Sequence, residues 1–375
     1  MKARVAAITL SDARECERLE MQERLDAERS PAARNASGQF ATPTALADAI
    51  VRACVAPRFA RSDGVRGLEP SMGSGAFVGA VLRAMSARVA SVTGVELDPR
   101  FADAARALWT NAPLRVIDGD FTRMTPAARV DLVVANPPYV RHHHLDAKDK
   151  VRLQALAAKE LDLKVSGLAG LYVHFILRAH AWMDDGALGV WLIPSEWMDV
   201  NYGSALRRYL TERVALVRVH RFQAADVRFE DALVSSSVVC FEKRASDAGD
   251  ACRFTGGPSS ESPTTERALR VGELRGRAKW GPLFAASAPT VTAEHGDVRV
   301  TLGDLVRVSR GIATGANDFF IRPREEFRAL GVPARFLRPV LPSSRYLDGA
   351  EIEADDEGWP RLDPVLALLD CDLPE

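Results

Sequence analysis

At 375 residues the chain is long enough for two domains and a sizeable core. Its 49 basic and 50 acidic residues nearly cancel, so bulk charge says nothing about a polyanionic partner, and no long apolar run or signal-peptide pattern at Met1-Lys2-Ala3-Arg4 points to a membrane. Five scattered cysteines (Cys16, Cys54, Cys240, Cys252, Cys371), with no Cys-x-x-Cys, read as reduced thiols of a cytoplasm and exclude a disulfide frame or a zinc site.

Residues 1–37 are charged and helix-prone, and their interleaved signs predict a solvated helical arm. Asn35 to Gln39 reads as a loop, and Phe40-Ala41-Thr42-Pro43 opens a helix, with Pro43 at an early position and Thr42 or Thr44 as cap. From about 65 to 245 strands and helices alternate. The strands fall at Val65–Glu69, Val92–Glu96, Leu114–Ile117, Val130–Ala135, Ala187–Ile193, Val214–Phe222 and Ser236–Phe241. The helices begin after Gly75, at Pro99, at Leu171 and near Ala205. Such alternation predicts an α/β domain with a mainly parallel sheet over 38–245. The last two strands lie too close for a crossover helix, so an antiparallel hairpin at the sheet edge is expected. The Gly-, Ser-, Pro- and Thr-rich stretch suggests a linker or long loop over 246–280. A further region spans 281–375. Its 297–345 part holds nine arginines against five acidic residues, and 346–375 holds ten acidic residues and only Arg361. The arginines read either as a phosphate-binding face or as solvated surface.

Four strand ends carry chemistry. After the fourth strand come Asn136-Pro137-Pro138-Tyr139. Two prolines cannot continue a ladder, so the backbone leaves the sheet where open α/β sheets bind ligands. The Asn136 side-chain oxygen and the Pro137 carbonyl are acceptors suited to both hydrogens of one exocyclic amine, and Tyr139 offers an aromatic face worth roughly 1–3 kcal/mol per stacked base. Taken alone, the same tetrapeptide also suits a plain turn. After the first strand, Glu69-Pro70-Ser71-Met72-Gly73-Ser74-Gly75 lets backbone approach a ligand at a helix N-terminus, although Val78 breaks the dinucleotide spacing. Glu96, ending the second strand, suits ribose hydroxyls, while Asp98 caps the helix begun by Pro99. Asp120-Phe121, after the third, suits an adenine amine and ring, or a turn.

These pieces resemble, in order, the gamma-class amino-DNA methyltransferases of bacterial restriction–modification systems, the TaqI-like adenine-N6 enzymes. Gly38 to Pro43 is similar to their N-terminal cofactor motif. Glu69 to Phe77 resembles the loop for the methionine part of S-adenosyl-L-methionine, Glu96 stands at the ribose position and Asp120-Phe121 at the cofactor-adenine position. Asn136 to Tyr139 resembles the catalytic motif. Phe229 to Ser236 resembles the motif whose ring covers the flipped base, so Phe229 would face Tyr139. Arg310 to Phe320 resembles the start of a recognition region, shorter here than is usual in the family. The resemblance implies a class I S-adenosylmethionine-dependent methyltransferase of Rossmann-like fold with a partial C-terminal DNA-recognition region. The implied cofactor contacts are Phe40, Thr42, Pro43, Glu69, Pro70, Ser71, Gly73, Gly75, Glu96, Asp120, Phe121 and Asn136. The implied catalytic set is Asn136, Pro137, Pro138, Tyr139 and Phe229. Implied partners are double-stranded DNA and a restriction endonuclease or specificity partner, in a bacterial, nucleoid-associated cytoplasmic setting.

Other readings stay open: cytosine-N4 transfer, transfer to RNA or a protein glutamine, and a non-catalytic specificity subunit. The RNA and glutamine families share the tetrapeptide but lack Phe40 to Pro43 and the Thr314 to Phe320 stretch. His142-His143-His144 has no ligand spacing for a metal and reads as a polar loop.

Overall fold

The computed structural model describes residues 2–30, 33–34, 37–222, 235–284, 302–307, 314–342, 347 and 351–371, with side chains from residue 13 onward. Phe229 lies outside them. The chain forms two compact units, Met1–Thr290 and Val291–Glu375. Among the described residues no helix is long and apolar enough to cross a membrane.

In chain order the first unit contains α1 (Lys2–Ala27), α2 (Thr44–Ile50), β1 (Val65–Glu69), α3 (Ala76–Met85), β2 (Val89–Glu96), α4 (Pro99–Leu108), β3 (Leu114–Asp118), β4 (Val130–Ala135), α5 (Ala147–Leu161), α6 (Leu171–Ala179), β5 (Met183–Pro194), α7 (Ser204–Arg208), β6 (Ala215–Arg221), β7 (Ser236–Glu242), β8 (Ala251–Gly256) and β9 (Thr265–Arg270). The strands form one sheet in the order β3-β2-β1-β4-β5-β7-β6-β8-β9. Strands β1 to β5 are parallel, and β7 runs antiparallel to both β5 and β6. Successive side chains of a strand face opposite sides, and both sides are buried here. Leu132, Val134, Leu188, Val190 and Leu192 pack with α2 and α3, while Val133, Ala135, Ala187, Trp191 and Ile193 pack with α5 and α6.

The expected antiparallel hairpin exists, but it is not the edge. Strand β8 pairs with β6 and β9 pairs with β8. Residues 251–256 and 265–270 of the expected linker thus belong to the sheet. The turn-rich composition that suggested a linker is concentrated in residues 257–264, which only join β8 to β9. Cys252, Phe254 and Leu269 are buried, and Trp280 is fully covered beside Trp197 at 5.3 Å between ring centres.

The solvated-arm reading of α1 is corrected as well. Met21 and Leu25, four residues apart and so on one helix face, bury against Phe101 of α4. Arg18 is only 1% exposed. Mixed charge on this helix marks buried pairing as well as solvation.

The second unit contains a three-stranded antiparallel sheet, order β10-β12-β11, of β10 (Ile321–Pro323), β11 (Leu337–Val340) and β12 (Leu366–Leu369). Phe327, Leu337, Trp359 and Ala367 form its core. Arg324 stacks over Trp359 at 4.0 Å and pairs with Glu357 at 2.7 Å, and Arg338 pairs with Asp370 at 3.2 Å. These two arginines of the basic stretch therefore answer carboxylates of the acidic one.

The β6–β8 seam carries a buried imidazole. His220 Nε2 donates to the Gly257 carbonyl (3.1 Å), and Nδ1 accepts from Thr255 Oγ1 (2.9 Å). Burial, reinforced by neighbouring Arg218, pushes its pKa down to about 4. The unfolded imidazole, near 6.5, takes up a proton that the folded one refuses until about pH 4. Its contribution to stability is complete above pH 6.5 and is lost as pH falls toward 4. Urea unfolding across that window should show a loss about 2–3 kcal/mol smaller in His220→Asn than in wild type. Parallel pH profiles would refute this account.

Candidate active site

Strand β4 delivers Asn136 to the point where the sheet order reverses between β1 and β4. The turn that follows is tied down by one side-chain and two backbone hydrogen bonds. The Ser71 hydroxyl donates to the Asn136 carbonyl (3.1 Å), Tyr139 N donates to the Gly38 carbonyl (3.0 Å), and Leu171 N donates to the Val140 carbonyl (3.0 Å). The Asn136 amide nitrogen donates to the Phe40 carbonyl and to Thr42 Oγ1, both at 3.1 Å. Both hydrogens are thereby spent, which fixes the other end of the amide as oxygen. That Oδ1 is buried and has no hydrogen-bond partner among the described residues. A buried acceptor left unmet costs about 1–3 kcal/mol, so this atom is poised for a donor from a ligand.

Beside this corner is a cavity of about 520 Å³, walled by Pro70, Ser71, Gly73, Glu96, Asp120, Phe121, Asn136, Pro137, Pro138 and Phe40. These ten were all read from the sequence as site residues. The two oxygens of Glu96 accept from Gly73 N (2.8 Å) and Asp98 N (2.9 Å), which fixes the carboxylate against the glycine loop. Burial nevertheless raises its pKa above the usual carboxylate range. Asp120 is both wall and cap, since Oδ1 accepts from Thr122 N (2.9 Å) and Thr122 Oγ1 (2.7 Å). Asp98 caps α4 by accepting from Arg100 N (3.1 Å), as expected.

Five expected residues stand behind the wall instead. Thr42 orients Asn136. Pro43 is itself the N-cap of α2, and neither neighbouring threonine side chain caps that helix. Glu69 accepts from Val78 N (3.0 Å) at the start of α3, and burial holds its carboxyl well above the ordinary range. Gly75, at φ +87°, is needed because a Cβ there would come within 2.9 Å of Trp109 Nε1, itself donating to the Ser74 carbonyl. Tyr139 donates to the Leu192 carbonyl (3.3 Å), its ring centre 5.5 Å from that of Phe40, and burial pushes its phenol upward.

Helices α1 and α5 add charged groups to the cavity. Helix α1 contributes Gln22 and Asp26, and Arg29, just past its end, pairs with Asp98 at 2.9 Å. Helix α5 contributes Asp149 and Arg152, and Arg152 donates to the carbonyl and hydroxyl of Thr122, both at 2.9 Å. The signal for α5 was present in Leu153, Ala157 and Leu161, buried at a spacing of four behind an Asp146 cap. Five carboxylates (Asp26, Glu96, Asp98, Asp120, Asp149) and two arginines face the cavity, an excess that suits a cationic ligand. His142 to His144 lie on a short 3₁₀ turn ahead of α5, and among the described residues no group of three His, Cys, Asp or Glu is placed to hold a metal ion.

Seven strands in the order 3-2-1-4-5-7-6, with the seventh reversed, and a ligand cavity at the carboxyl ends of the first four define the class I S-adenosylmethionine-dependent methyltransferase fold. Residues 111–228 match the Eco57I restriction-modification methylase family. The Type II methyltransferase M.XamI of Xanthomonas campestris pv. amaranthicola is 31% identical over 310 residues, covering 80% of this chain and 56% of its own. M.AccI of Acinetobacter calcoaceticus is 21% identical over 323 residues, covering 82% and 57%. The chain thus spans little more than half the length of these curated relatives. The fold is shared with the type IIG restriction endonuclease BpuSI (TM-score 0.53, 17% identity, 66% of this chain and 33% of that one). It is shared also with the DrdV–DNA complex (TM-score 0.50, 13% identity, 71% and 34%). By sequence the chain is a relative of the Type II restriction–modification methyltransferases, as its motifs implied.

The Gly38 contact is open to direct measurement. Gly38 has φ +64°, and a Cβ there would meet Tyr139 N, Tyr139 C and Val140 N at 2.6 Å. Gly64, at φ +72°, faces open space. Gly38→Ala should therefore cost about 2–4 kcal/mol in urea unfolding, against about 1 for Gly64→Ala. Equal costs would mean that the close approach does not hold in solution.

Proposed function

We propose that this chain transfers the methyl group of S-adenosylmethionine to adenine N6 of a base turned out of duplex DNA, as the modification arm of a restriction–modification system. The observation that carries the reading is the Asn136 Oδ1: a buried acceptor without a partner, held by an amide whose two hydrogens are committed elsewhere. The volume and acidic excess of the cavity support the donor, and the relatives named above support the substrate class.

When bound, the donor supplies an electrophilic sulfonium methyl. The work of the protein is then positional. Asn136 Oδ1 and the Pro137 carbonyl accept the two hydrogens of the amine and turn its lone pair toward the methyl. Glu96 accepts from the ribose hydroxyls, and Asp120 with Phe121 takes the adenine of the donor. Tyr139, whose ring lies outside the donor cavity, would stack on the extruded base and offset part of the few kcal/mol of unstacking. Phe229 would close the opposite face. A strong base is unnecessary, because the amine proton becomes acidic only as the new N–C bond forms.

Incubation with labelled S-adenosylmethionine and duplex DNA, followed by nucleoside digestion and mass spectrometry, should yield N6-methyladenine. N4-methylcytosine, or label in RNA or protein alone, would overturn the assignment. Asn136→Ala should keep donor affinity by calorimetry and lose on the order of a hundredfold in transfer. Glu96→Ala should instead weaken donor binding by roughly tenfold or more, and unchanged affinity would remove Glu96 from the ribose site.

A further inference from the structure

Beneath the cavity wall lies a buried ionic hub that the transfer chemistry does not use. Arg18 of α1 is 1% exposed. Its Nη1 donates to Ser74 Oγ (2.7 Å) in the glycine loop. Its Nη2 donates to Thr44 Oγ1 (3.1 Å) at the start of α2, and Nε and Nη2 donate to Glu15 Oε1 (2.9 and 2.6 Å). The Thr44 hydroxyl also donates to Glu15 Oε1 (2.5 Å). From the other side, Arg83 of α3 joins Glu15 Oε2 (2.7 Å) to Asp48 of α2 (2.7 Å). One guanidinium therefore grips two segments that meet again at Asn136. The glycine loop reaches it through the Ser71 hydroxyl on the Asn136 carbonyl. The 38–44 segment reaches it through Phe40 and Thr42 on the Asn136 amide.

We propose that Arg18 is a positioning residue that holds the donor loop and the Asn136 cradle in one fixed relation, so that a helix read as a solvated arm sets the distance over which the methyl moves. The inference rests on the function proposed above. A buried arginine with its donors met on three elements is costly to assemble and rigid once made. Its planar fork has fixed geometry, which a lysine cannot reproduce.

The two arms of the hub separate in experiment. Ser74→Ala cuts only the loop arm and should weaken S-adenosylmethionine binding about tenfold, with kcat at saturating donor close to wild type. Thr44→Val cuts only the cradle arm and should lower kcat about tenfold, with a loss of donor affinity smaller than in Ser74→Ala. Arg18→Lys should show both defects, smaller than in Arg18→Met, which is the variant most prone to fold poorly. Hydrogen exchange reads the same coupling without any substrate: amides of 70–75 lose protection in Ser74→Ala, those of 38–44 in Thr44→Val, and both in Arg18→Lys. A hub that merely stabilises the fold would reduce the active fraction alike in all variants, leaving affinity per active molecule and local protection unchanged. That result overturns the proposal. If wild type bound the donor but modified no DNA, the substrate reading would fail, while donor affinity and exchange would still decide the role of Arg18.

Discussion

The structure turns on one side-chain amide. Asn136 gives both its hydrogens to Phe40 and Thr42, almost a hundred residues earlier in the chain, and keeps an unmet oxygen. An amide held only by its own turn would rotate, and its donor and acceptor ends would exchange. Fixing it from a distant segment demands that residues 38–44 close over the end of β4. That in turn demands the glycine at 38, where backbone lies against backbone. The prolines after Asn136 stop β4 at the right register, and the Ser71 hydroxyl binds the turn to the donor loop.

Electrostatics follow the same plan. Glu69 and Glu96 sit where burial disfavours their charge, and each is met by backbone amides. Asp98 is the opposite case, held low chiefly by its bonds to Arg100, with Arg29 adding to the effect. The wall of the cavity thus combines a carboxyl set by burial, Glu96, with a carboxylate set by arginine, Asp98. The arrangement favours a cation within, and Glu96 anchors the glycine loop through Gly73 N.

Much of this was legible in the chain. Strands buried on both faces and punctuated by glycine and proline announce an open α/β sheet, and ligand-binding groups collect at the strand ends for topological reasons. The residues misplaced by the sequence reading share a physical cause. Thr42, Glu69 and Gly75 have the right chemistry in the right segment, but a motif does not say which of its side chains face inward. Their partners (Asn136, Val78 N, Trp109) are distant in sequence or hidden in backbone. Helix α1 misled because alternating charge looks the same whether it meets water or buried partners. Strands β8 and β9 were obscured because their joining loop dominates the local composition.

That added pair changes how the molecule meets its surroundings. A sheet ending at β6 would offer a long apolar rim, with Val219 and Leu216 beneath it and an open row of amides ready to recruit a foreign strand. Strand β9 takes that place as the outermost ribbon. Of its six residues only Leu269 is buried, and Glu266, Arg267 and Arg270 project charge along it. The protein thereby carries its own bumper against sticking, on the flank farthest in strand order from β3.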